Sequence, residues 1–219
     1  MGEQMKWCLV LALLACLPGG VIEANEEGRV PAGRVAWQLV GKTLINPATG
    51  TGQVLAYFTF LEGIPGPMFA GSPGESTAFF TLRSEPFSLQ TFPNGDVLIG
   101  LLGTEVFTLY LDTTPDQDFS DPPTFSDGEP LATFNRLPAE LIFVGPVFTD
   151  DFSVEFVSSR RFVWQGRRFN LRRLTPEGVT LAVTGSTAFL PSGVAEFPVS
   201  VSFGASAIAV EVVDEKDEE

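Results

Sequence analysis

The chain has 219 residues, a formal net charge of −14 and no histidine, and its two cysteines, Cys8 and Cys16, both lie near the N-terminus. These facts exclude a Ser-His-Asp triad, a Cys-His dyad and a zinc site built on His or Cys. An acidic chain also lacks the basic footprint that nucleic-acid binding requires, so no nucleic acid is expected as a partner.

The first residues read MGEQMKWCLVLALLACLPGGVIEAN. One lysine, an apolar run from Trp7 to Leu17, a Pro-Gly-Gly break and a small residue at Ala24 follow the order of a secretory signal peptide. The run is shorter than the ~20 residues that a membrane-spanning helix needs. Residues 1–24 are therefore expected to be a signal peptide, and the protein secreted, periplasmic or otherwise extracytoplasmic. The alternative is a lipid anchor through Cys16, which ends the lipobox-like stretch Leu13-Leu14-Ala15-Cys16. Residues 25–34 read as a linker, 35–212 as one all-β domain without disulfides, and 213–219, VDEKDEE, as an acidic disordered tail.

Within the domain, polarity alternates with a period of two. Gln53–Leu61 puts Val54, Ala56, Phe58 and Phe60 on one face; Glu105–Leu111 puts Phe107, Leu109 and Leu111 on one face. In Phe152–Val157 the apolar face is Phe152, Val154 and Phe156, set against Ser153 and Glu155, and Val199–Phe203 repeats the pattern. Such alternation, rich in β-branched and aromatic residues, marks half-buried strands. Turn sequences separate them (NPATGTG, FPNGD, QGR, TPEG, LPSG), giving about ten to twelve strands at barrel or sandwich spacing. The expected fold is a single-domain antiparallel β-barrel, with a two-sheet β-sandwich as the alternative.

Trp37–Thr43, WQLVGKT, ends like a phosphate-binding loop. Ala36 stands where that motif needs its first glycine, and no helix follows, so the reading is rejected. Trp37-Gln38-Leu39-Val40 resembles the first strand of lipocalin-like barrels over four residues, with Val35 where a glycine is usual. No family is identified from it.

Gly63–Gly74, GIPGPMFAGSPG, is a Gly/Pro loop, and its Met68 and Phe69 are candidates to close the mouth of an apolar pocket. Thr113–Pro130, with its neighbour Asp112, is a long acidic loop holding Asp116, Asp118, Asp121, Asp127 and Glu129. Of these, Asp116, Asp118 and Asp121 are weak Ca²⁺ candidates, because hard oxygen ligands suit that ion. Their spacing matches no calcium motif, and Asp, Ser and Pro also simply make turns. No metal or other cofactor is assigned.

Residues 160–173, RRFVWQGRRFNLRR, collect six of the thirteen Lys and Arg and no acid. A two-residue Gln165-Gly166 loop pairs Phe162 with Phe169 and avoids setting Arg161 against Arg172. One face then carries Phe162, Trp164, Phe169 and Leu171; the other carries Arg161, Val163, Arg168, Asn170 and Arg172. Arg167 is placed to lie over the Trp164 ring. Three readings follow. Glu155, Asp150 and Asp151 neutralise the arginines; or Arg161, Arg168 and Arg172 bind an anionic glycan, a lipid head group or an acidic partner; or the strip meets the acidic loop of a second copy.

The expected function is that of an exported, non-catalytic binding or structural protein acting through the cationic hairpin. The alternative is a lipocalin-like or cyclase-like β-barrel that binds or isomerises a small hydrophobic molecule. An enclosed cavity of several hundred Å³, the scale of ligand pockets, with a carboxylate and an arginine in its wall favours the alternative; a filled interior excludes it.

Overall fold

The computed structural model describes residues 28–103 and 105–211. The expected signal peptide, Cys16 and the acidic tail lie outside these residues. No helix among the described residues is long and apolar enough to cross a membrane.

The strands are β1 (Val35–Asn46), β2 (Thr51–Leu61), β3 (Phe80–Ser84), β4 (Phe87–Asn94), β5 (Val97–Leu102), β6 (Val106–Leu111), β7 (Glu129–Arg136), β8 (Glu140–Val144), β9 (Val147–Ser159), β10 (Arg161–Trp164), β11 (Arg167–Asn170), β12 (Val179–Ser186), β13 (Leu190–Pro191) and β14 (Val199–Ala209). The order β1-β14-β12-β9-β7-β6-β3-β2 closes through β1–β2 pairing, and every pairing in it is antiparallel. The fold is thus the eight-stranded barrel rather than the sandwich.

Strands β4, β5 and β8 carry the wall further. Phe80↔Leu111, Ser84↔Phe107, Leu89↔Leu102 and Asn94↔Val97 hold one uninterrupted register. Across the gap Glu85 N donates to Val106 O, Gly103 N to Ser88 O, and Arg136 N to Glu105 O. Strands β3 and β4, β5 and β6, and β7 and β8 are therefore three long strands, each broken once. The breaks have local causes: Pro86 and Pro138 lack the N–H a ladder needs, and Gly103 has no side chain to pack.

At one end, short turns join β1–β2, β4–β5 and β8–β9; Gly50, Gly95 and Gly145 take positive φ there (67°, 66° and 56°). The β12–β14 connection, which carries β13, also lies at this end, where Thr187 N donates to Pro146 O; the remaining long connections lie at the opposite end. There the β10–β11 hairpin folds inward, burying Phe162 and Trp164, and a helical turn, α1 (Leu171–Leu174), buries Leu171 and Leu174. The alternation expected to run to Arg172 stops at Asn170, which accepts a hydrogen bond from Arg173 N and caps α1. Trp164 packs edge-on against Phe79 and Phe80 (5.0 and 5.2 Å), and its Nε1 donates to Pro65 O at 2.9 Å. Val30, in the stretch read as a linker, is buried, and its N–H donates to Leu174 O.

A second apolar cluster lies outside the barrel wall. Phe119 and Phe125 of the acidic loop, with Phe197, cover Leu44 and Leu55. Lys42 Nζ sits 4.6 Å from the Phe119 ring centroid, and Thr81 Oγ1 donates to Phe125 O. The loop is long because it crosses the wall and seats two aromatic anchors on it.

Most of the expected facing is observed, with one exception. The bulge where Gln38↔Phe60 gives way to Leu39↔Phe58 turns Phe60 outward and Leu61 inward. A bulge adds one residue on one strand and so reverses the alternation beyond it.

Candidate active site in the barrel interior

The half of the barrel towards the short turns is hollow. Its cavity of about 580 Å³ is walled by apolar side chains from every barrel strand, among them Leu39, Val54, Leu82, Phe107, Phe134, Phe152, Leu181 and Phe203. Trp37 lines it and packs against Phe134 and Phe58 (5.3 and 6.1 Å), where the interior becomes solid. Exposed Pro47, Asp96, Gly145 and Phe189 reach it from the turn end and mark its mouth.

Three charged side chains enter this wall: Glu105, Arg136 and Asp150. All three are buried. Each stands at an inward position of its strand. Glu105 precedes Phe107 by two, Arg136 follows Phe134 by two, and Asp150 lies between Phe148 and Phe152. The strand breaks bring Glu105 and Arg136 to one level, where Arg136 N donates to Glu105 O.

Arg136 and Asp150 form a fork-to-fork pair, Nη1–Oδ2 and Nη2–Oδ1 both at 2.7 Å. The guanidinium also lies 3.9 Å from the Phe152 ring centroid. Glu105 is left with a weaker share: its Oε2 is 3.9 Å from Arg136 Nη1, and its Oε1 has no partner among the described residues. Burial pushes the Glu105 carboxyl up from its ordinary 4.5 to about 8, Arg136 pulls it down, and Asp150 raises it again. One cation cannot neutralise two buried carboxylates. Asp150 takes it bidentately, and Glu105 keeps a proton at neutral pH.

This arrangement corrects one of the neutralisation readings. Asp150 faces Arg136 inside the barrel and not the hairpin arginines, and among the described residues no acid lies within 4 Å of Arg161, Arg167 or Arg168. The hairpin has the expected two-residue register, Phe162↔Phe169 and Trp164↔Arg167. Arg161 and Arg168 are exposed. Arg172 is exposed too but belongs to α1, donates to Phe156 O and lies 5.6 Å from the Phe156 ring centroid. Arg167 lies over Phe169 (5.5 Å) rather than Trp164.

Met68 and Phe69 do not line the cavity. Met68 packs on the core beside Phe79, and Phe69 meets the Tyr57 ring at 6.1 Å on the outer wall. Of the calcium candidates, Asp118 instead accepts from Ser120 N and Oγ, which hold its carboxyl below the ordinary value. Asp121 pairs with Asp118 through the backbone. Asp116 gathers with Asp112 and Asp127, with carboxylate oxygens within 4.8 Å of one another. Partial burial, then Asp112 and Asp116, raise the Asp127 carboxyl.

No protein-family model, curated protein or solved structure matches this chain.

Proposed function

We propose that the barrel binds a small, largely apolar, uncharged molecule in its interior, and that Glu105 donates a hydrogen bond to an oxygen on it. The observation that carries this reading is a single polar constellation set in an apolar cavity of about 580 Å³. The volume falls within the few hundred to about 1,000 Å³ of small-molecule sites, and few convergent polar groups on apolar walls are their usual lining. Charge balance favours a neutral ligand. Arg136 is already committed to Asp150, so an added carboxylate meets Asp150 with no free cation to receive it. A protonated Glu105 with an unpartnered oxygen supplies the missing donor for a carbonyl, hydroxyl or ether.

A second reading, isomerisation of that ligand, is favoured by one observation. A carboxyl with a pKa of about 8 gives up and regains a proton readily at neutral pH, as a general acid–base group must. Glu105 is the residue for that role, and the Arg136–Asp150 pair positions it.

The test uses a neutral apolar fluorophore, N-phenyl-1-naphthylamine, titrated into the protein. Saturable binding of one molecule per barrel is expected, weakened at least tenfold by Ala205→Trp, which fills the cavity from β14. Absence of binding, or equal binding by a folded Ala205→Trp variant, overturns the proposal. For the second reading, candidate neutral substrates are screened for rearrangement; Glu105→Gln keeps binding and abolishes turnover.

A further inference from the structure

The hairpin surface carries a feature unrelated to the barrel cavity. Arg161, Arg167 and Arg168 from β10 and β11 and Arg173 from α1 line a depression of about 520 Å³ on the outside of the closed end. Phe169 and Asn170 lie within it, and Gly28 and Gly63 complete its rim. Both glycines take positive φ (57° and 80°), a conformation glycine adopts without strain.

Holding these guanidiniums together opposes their mutual repulsion. Elsewhere this acidic protein has acids in excess, yet among the described residues none approaches Arg161, Arg167 or Arg168 within 4 Å. The three are not spent on local backbone either, in contrast to Arg172, which donates to Phe156 O. Their placement is fixed from below. Phe162 and Trp164 are locked in the core, and the tight Gln165-Gly166 turn sets the two strands in register. A rigid, concave group of planar donors matches tetrahedral oxyanions, which guanidinium binds bidentately.

We propose that this depression is a binding site for a compact polyanion, a small molecule bearing two or more phosphate or sulfate esters. Concavity favours such a ligand over an extended flat surface, and several cations at close range favour several anionic groups over a single carboxylate. The site lies at the end of the barrel away from the cavity mouth, so both can be occupied together.

Calorimetric titration of the folded protein at low salt tests this, with inositol hexakisphosphate as the phosphate ester and a fully sulfated heparin tetrasaccharide as the sulfate ester. One-to-one binding of at least one is expected, and the tighter of the two identifies the ester class. Affinity falls as salt rises. Arg161→Glu/Arg168→Glu, two exposed positions, weakens it at least tenfold with the melting temperature unchanged, whereas the cavity-filling Ala205→Trp leaves it unaltered. Binding that survives the double charge reversal overturns the proposal. So does failure to bind either ester, including the case where phosphatidylserine vesicles alone are bound, which would make the strip a membrane contact.

Discussion

The two ends of this barrel are made of the same strands and differ in what fills them. At the closed end Phe80 meets the hairpin's Phe162 and Trp164, Trp37 packs on Phe58 and Phe134, and the interior is solid. At the other end the strands are joined by short turns and by the β12–β14 connection, whose Phe189 stands only at the mouth, and the cavity remains. A sheet rolled into eight strands encloses an interior that side chains can just fill or that can hold one small ligand. Here the filling element is the amphipathic hairpin. Its aromatic face seals one end, and its arginines are consequently held outward on a fixed frame.

This difference makes the two ends unequal in what a truncation removes. Trp164→Ala empties a packed region and orphans Pro65 O, so it is expected to lower unfolding free energy by about 4 kcal/mol. Phe148→Ala removes a ring that already borders open space, so only the transfer contribution is lost, about 2 kcal/mol. Urea denaturation of both variants decides the point. Equal losses would mean that the two ends are packed alike.

The hollow end also carries the pH response. Between pH 4.5 and about 8 the native protein holds a proton on Glu105 that the unfolded chain has released. Stability therefore falls as pH rises through that window and levels off above it. Glu105→Gln, which mimics the protonated acid, removes this slope and is the more stable protein at pH 8. Chemical denaturation at pH 5, 6.5 and 8 reads the difference. A slope that persists in the variant would place the titrating group elsewhere.

Much of this was legible from alternation alone. The faces of β6 and β9 and the hairpin register follow from period two and from Gln165-Gly166. The same rule held the site as well: Glu105 shares parity with Phe107, Arg136 with Phe134, and Asp150, not Asp151, with Phe148 and Phe152. An acid or arginine inside an apolar face is the signal of a buried polar group. That signal is masked because Asp150 and Asp151 together look like a solvated pair, and because Pro138 and Gly103 interrupt the neighbouring strands. What parity cannot supply is strand order and the position of each bulge. Arg136 and Asp150 meet only because β7 and β9 are neighbours, and Phe60 faces out only because β2 takes a bulge. Nor does local pattern say which end a loop covers, so Met68 and Phe69 were assigned to a mouth they do not reach.

The smallest effect concerns the turn that joins the two functions of the hairpin. Gln165 has φ of 49° and Gly166 φ of 74°, the pair of positive angles that a two-residue hairpin turn of this hand requires. Glycine meets that demand without strain; glutamine does not, whereas asparagine tolerates it through its short polar side chain. Gln165→Asn should therefore stabilise the protein by roughly 0.5 kcal/mol. Gln165 is exposed, so little packing is exchanged for that gain, and the effect reports backbone strain alone. Because the turn fixes both the Trp164 plug and the Arg167–Arg168 pair, the variant should also slow amide exchange along β10 and β11 while leaving exchange around the hollow end unchanged. Faster exchange in the hairpin would show that the glutamine side chain, which lies beside Gly66, contributes more than its strained backbone costs.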